Sequence, residues 1–102
     1  MKQIKLEKKE RVAQILAASL AIAERVGYTN VTRHAVAERL GIASTLVPYH
    51  MGTMVAFRRA ILREAIRTEC LPVIAQAVVA KDRHASKVPP ELRSRALESL
   101  AA

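Results

Sequence analysis

The chain has 102 residues, the size of one domain, and 51% of them are apolar. Its core must be built from alanine and aliphatic side chains, because it holds only two Tyr, one Phe and no Trp. Lys and Arg number 17 against 9 acidic residues, a net charge of +8 that favours a polyanionic partner, nucleic acid before an anionic membrane surface. The single Cys70 excludes an intrachain disulfide, and no apolar run approaches the ~20 residues that span a bilayer.

Residues 1–10, MKQIKLEKKE, read as a basic, solvated arm or a frayed first helical turn. The basic start followed by Val12–Ala23 superficially matches a signal peptide, but Gln14, Ser19 and Glu24 interrupt the apolar stretch. From Arg11 to Val26 the apolar positions Val12, Ile15, Leu16, Leu20, Ala23 and Val26 fall on one helical face, and Gly27 supplies the C-terminal stop. Thr32 is an N-cap for a second helix with Val36, Ala37 and Leu40 inward and Arg33, Glu38 and Arg39 outward. Gly41 ends it, Ile42 anchors the turn, and a third helix is expected from Ala43 or Ser44, with Ser44 the better cap.

Gly52-Thr53 is the next boundary, glycine closing the third helix and Thr53 capping the fourth. Apolar residues then recur at Phe57, Ile61 and Ala65 until Pro72 forces a restart. A fifth segment carries Val73, Ile74, Ala77 and Val78, Val88-Pro89-Pro90 breaks it, and ELRSRALESLAA forms a last short helix. No strand signal, repeat or low-complexity tract interrupts this pattern. The expected fold is all-α: a three-helix helix-turn-helix head, a fourth helix, and one or two short C-terminal helices. The expected divisions are an arm at 1–10, a head at 11–52 and C-terminal helices at 53–102.

The run Thr32–Met51 has the spacing of a helix-turn-helix: small Ala37, then Gly41 at the turn, with Val36, Leu40, Ile42 and Val47 in the apolar slots. Taken with Ile15-Leu16, Ala18, Gly27-Tyr28, Thr32 and His50-Met51, residues 11–63 resemble the DNA-binding region of the TetR family of transcriptional regulators. Three positions depart from the family pattern: Ala43 replaces the usual serine after the turn, Pro48 the usual aromatic, and Met54 the usual lysine. The first two point to a recognition helix that starts late or is distorted, since Pro48 fits a helix only in its first turn, and the third removes a phosphate contact.

The resemblance implies a sequence-specific DNA-binding regulator, a homodimeric repressor meeting a palindromic or near-palindromic site on double-stranded DNA. Ser44, Thr45, Pro48 and Tyr49 would face base edges or a thymine methyl, Tyr49, His50, Thr32 and Thr53 would meet phosphates, and Arg33 would reach a phosphate or a neighbouring base. Lys2, Lys5, Lys8 and Lys9 would follow the backbone or enter a minor groove. Arg58, Arg59 and Arg63 read as a solvated helix face. The two copies would join through Phe57, Ile61, Ala65, Ile74 and Val78.

Only about forty residues follow the resembling stretch, too few for an enclosed ligand pocket, so no small-molecule inducer is expected. No cofactor or metal is expected either, since His34 and His84 are isolated. No catalytic triad or glycine-rich phosphate loop points to an enzyme. A cytoplasmic, nucleoid-associated setting in a bacterium, or coding by a plasmid or phage, follows from the same resemblance. The rival reading is a helical protein–protein interaction module that meets an acidic partner through its basic surface.

Overall fold

The computed structural model describes residues 7–101. Among them are six α-helices and no strand: α1 (Lys8–Val26), α2 (Arg33–Leu40), α3 (Leu46–Met51), α4 (Met54–Arg67), α5 (Leu71–Val79) and α6 (Pro90–Ala101). Short three-ten turns at Tyr28–Asn30 and Arg83–Lys87 join α1 to α2 and lead from α5 toward α6. The all-α architecture matches the sequence pattern. No described helix is long and apolar enough to cross a membrane.

α1 begins at Lys8 rather than Arg11, because the Glu10 carboxylate accepts from the Glu7 N–H at 3.0 Å and closes the first turn. Lys8 and Lys9, at the end of the basic arm, therefore belong to the first turn of α1. Lys2 and Lys5 lie outside the described residues. Ser19, buried within α1, donates its hydroxyl to the Ile15 carbonyl at 2.6 Å, so its one polar atom is satisfied inside the core.

The glycines and threonines act as expected. Thr32 and Thr53 cap α2 and α4 by accepting from the N–H groups of Ala35 and Ala56 at 3.0 and 3.1 Å. Gly41 takes φ +70° and ψ +35°, and the Ile42 N–H returns to the Ala37 carbonyl at 3.0 Å. This C-terminal lock turns the chain sharply, and Ile42 packs against the core beside it. No neighbour crowds the Gly41 Cα, so left-handed backbone alone requires glycine there.

Two sequence expectations need correction. α3 starts at Leu46, not at Ala43 or Ser44, and has no side-chain cap. The Leu46 and Val47 N–H groups instead bond the Ala43 and Ser44 carbonyls, a tight turn leading into the helix. Pro48 is the cause: its ring excludes a helical bond to Ser44, and the late start places it in the first turn, where no donor is needed. At the other proline-rich site, α6 begins at Pro90 itself, a position that suits a fixed φ.

The second correction concerns the face assigned to a dimer. Phe57, Ile61, Ala65 and Ile74 are fully buried within the single chain, and Val78 is half-buried against the same cluster. α4 and α5 turn their apolar stripes toward α1, and α6 covers α5. The core thus runs unbroken from Ile15 on α1 to Ala96 on α6, across the expected boundary at 52/53.

The ends of α4 and α5 show what glycine would otherwise mark. Glu69 and Lys81 hold φ +57° and +58°, while the Cys70 and Asp82 N–H groups return to Ala65 and Ala77 at 2.8 and 3.0 Å. Gly41→Ala should lower unfolding stability by about 1–2 kcal/mol in urea titrations, the strain of a Cβ in left-handed backbone. Lys81→Gly should do the opposite, raising stability by about 0.5–1 kcal/mol as that strain is relieved.

Candidate nucleic-acid interface

Three helix junctions meet on one side of the molecule: the start of α2, the turn into α3 and the first turns of α4. Between them lies an open cleft of about 650 Å3. Thr32 and Arg33 form one wall, Ser44, Thr45 and Pro48 the second, and Met54 with Arg58 the third. His34 and the residues Thr29, Asn30 and Val31 complete it, and none of the lining residues is acidic. The capped N-terminus of α2 opens here, adding the positive end of a helix dipole to the charges of Arg33 and Arg58.

Five of the residues expected to meet DNA therefore converge: Thr32, Arg33, Ser44, Thr45 and Pro48. Tyr49 lies outside the cleft, 75% exposed on α3 next to Pro48. Its ring meets His50 edge-on, with centroids 4.9 Å apart and planes at 82°. His50 is half-buried, and its Nδ1 is buried without a hydrogen-bond partner, so only the other ring nitrogen is left for an outside contact. Thr53 is exposed but commits its hydroxyl to capping α4. Lys8 and Lys9 are exposed on α1 and do not line the cleft.

Arg58 is the residue that sequence reasoning missed. Helical spacing places Arg58, Arg59 and Arg63 on the outside of α4 but does not say which of them faces another element. In the fold Arg58 shares the cleft with Arg33, whereas Arg59 and Arg63 do not.

The walls of this cleft are held by a polar joint after α1. The Gln76 side chain on α5 donates to the Ala23 carbonyl at 2.9 Å and accepts from the Tyr28 N–H at 2.8 Å. The Tyr28 hydroxyl donates to Asp82 at 2.5 Å, and the other Asp82 oxygen accepts from the His84 N–H at 2.8 Å. Burial pushes the Tyr28 hydroxyl well above its ordinary range, reinforced by its bond to the Asp82 carboxylate. Burial alone would raise the Asp82 carboxyl, but the Tyr28 and His84 hydrogen bonds outweigh it and hold the group below the usual range. Four residues after Tyr28, Thr32 opens the cleft.

Cys70, at the start of α5, is a half-buried thiol whose ionisation burial pushes up, with Sγ 3.5 Å from a Glu24 oxygen. Among the described residues no group of three or more His, Cys, Asp or Glu is placed to hold a metal ion. Comparison with protein-family models, curated proteins and solved structures returns no match for the chain.

Tyr28→Phe should lower stability by about 1.5–3 kcal/mol at pH 7, the range for a hydrogen bond to a charged group. The depressed Asp82 pKa contributes stability above the unfolded value near 4, and that contribution is lost as pH falls through the folded one. The raised Tyr28 pKa contributes below the unfolded value near 10, and its share is lost as pH rises through the folded one. The gap between wild type and Tyr28→Phe should therefore be widest between about pH 4 and pH 10 and narrow outside it, as read by urea unfolding across that range.

Proposed function

We propose that the chain is a sequence-specific DNA-binding regulator of TetR-like type, acting as a homodimeric repressor on a palindromic or near-palindromic site. The observation that carries this reading is the acid-free cleft where the α2 N-terminus, the α2–α3 turn and α4 converge between Arg33 and Arg58. Basic side chains and helix-terminal N–H groups at one surface suit phosphate, and they fix a reading element in register without themselves specifying sequence. Sequence would be read by Ser44, Thr45, Pro48 and Tyr49, which are small, polar or flat and have no acidic neighbour in the turn or in α3.

The short α3 shapes how that reading works. A helix of six residues that begins at Leu46 presents base-reading groups from its first turn and from the turn before it. The hydroxyls of Ser44 and Thr45 would then approach the groove ahead of the helix, with Tyr49 following. A repressor of this kind belongs with DNA in the cytoplasm of a bacterium, or on a plasmid or phage.

The proposed homodimer would use apolar residues that the chain leaves uncovered. Val79 at the end of α5 and Leu97 and Leu100 on α6 are 63%, 39% and 57% exposed. Leu97→Glu with Leu100→Glu should yield a folded monomer in sedimentation experiments; an unchanged molecular mass would place the contact elsewhere.

Selection from random duplex DNA, with affinity followed against salt, tests the reading. A two-fold motif should be enriched, and affinity should fall steeply as salt rises. Recovery of no motif, with weak binding to every duplex, would instead favour an interaction module with an acidic protein partner. Arg58→Ala should weaken binding to all duplexes alike and reduce the salt slope by about 1. Tyr49→Ala should erase preference at one position, worth about 1–3 kcal/mol, with little effect on non-specific binding.

A further inference from the structure

A second concavity, of about 420 Å3, opens between α4 and the Arg83–Lys87 turn. Its floor is apolar: Leu62, buried in the main core, and Ile66, half-buried against it. Its rim is entirely basic or imidazole, formed by Arg59, Arg63, His84 and Lys87. No carboxylate lines it. The ion pairs among the described residues are Arg67–Glu64 and Arg95–Glu69, so none of the rim groups makes a direct ion pair there. Asp82 lines the adjoining concavity with Arg59 and His84 and offsets part of their charge, leaving Arg63 and Lys87 as the rim cations that share neither concavity with a carboxylate.

Like charges gathered over an apolar floor repel one another, and a bound anion relieves that repulsion while stabilising the fold by mass action. Arg and Lys carry aliphatic stems beneath their charged heads, so such a rim can cover an aliphatic chain as well as an anion. The volume falls within the ~300–1,000 Å3 of small-ligand pockets. Such a cleft matches a molecule with one acidic end and a short aliphatic body. We infer that the cleft between α4 and the Arg83–Lys87 turn binds a small amphipathic anion, a carboxylate or phosphate head on an aliphatic chain. Such binding does not require that the chain also bind DNA.

Calorimetric titration and thermal unfolding with decanoate and with decyl phosphate test it, with decanol, acetate and inorganic phosphate as controls. At least one of the two amphipathic anions should bind at a single site and raise the melting temperature, and the tighter of them identifies the headgroup. Decanol, acetate and inorganic phosphate should do neither. Arg63→Gln with Lys87→Gln, both at exposed positions, should weaken binding about tenfold or more with the helical circular dichroism unchanged. Arg63→Lys with Lys87→Arg should retain binding, and Arg25→Gln on α1 should leave it untouched. Equal effects of acetate and decanoate would overturn the assignment, as would equal losses in the Arg25 variant and in the double variant of Arg63 and Lys87. So would a duplex DNA that displaces the anion and itself loses affinity when Arg63 and Lys87 are both changed to Gln, because the cleft would then belong to nucleic acid.

Discussion

The arrangement of the whole chain depends on one polar joint, where Gln76 and Asp82 grip the segment just after α1. The Gln76 amide uses both ends, its N–H on the Ala23 carbonyl and its oxygen on the Tyr28 N–H. Only one orientation of the amide satisfies both partners, since the flipped form would set donor against donor and acceptor against acceptor. Asp82 is equally committed, one oxygen to Tyr28 and the other to the backbone that follows it. Part-buried polar groups paired on both sides favour a single geometry, because a shift of either partner breaks a shielded hydrogen bond.

That geometry has a consequence for the surface. The Thr32 cap and Arg33 follow Tyr28 within a few residues, and Arg58 lies near enough to Tyr28 to bias its ionisation. The joint therefore ties the segment leading into α2, and with it the Arg33 wall of the cleft, to α5 and the turn that follows it. The core reinforces it: α4 and α5 are packed on α1 by Phe57, Ile61, Ala65 and Ile74, all fully buried. In this fold the head does not stand apart from the helices behind it. An aliphatic core of modest size is instead shared by the whole chain, as suits a domain with few aromatic side chains.

What could be read from the sequence was the local chemistry. Gly27, Gly41 and Gly52 end helices, and Thr32 and Thr53 start them, because a positive φ or a capping oxygen is a property of the residue itself. The same local reasoning failed at Glu69 and Lys81, where ordinary residues take the left-handed position because the returning N–H bonds hold them there. Periodicity showed that Phe57, Ile61 and Ala65 share an apolar face but not what covers it; α1 and α5 take the place given to a second copy. Two signals in the sequence conflicted over the start of α3, a Ser44 with the chemistry of a cap and a Pro48 that belongs in a first turn, and the ring of Pro48 decides the register. The Tyr28–Asp82 bond links residues 54 positions apart, and nothing in either neighbourhood signals the other. Arg58 joined the candidate interface for the same reason: a helix face acquires its meaning only from the element opposite it.

The acid-free cleft and the adjoining surface of α3 are proposed as the face that meets nucleic acid. Amide chemical shifts followed as duplex DNA is added test this most directly. The changes should cluster on Thr32, Arg33, Ser44, Thr45, Tyr49 and Arg58 and fade as salt is raised. Changes that spare α2 and α3, or that centre on α5 and α6, would contradict it.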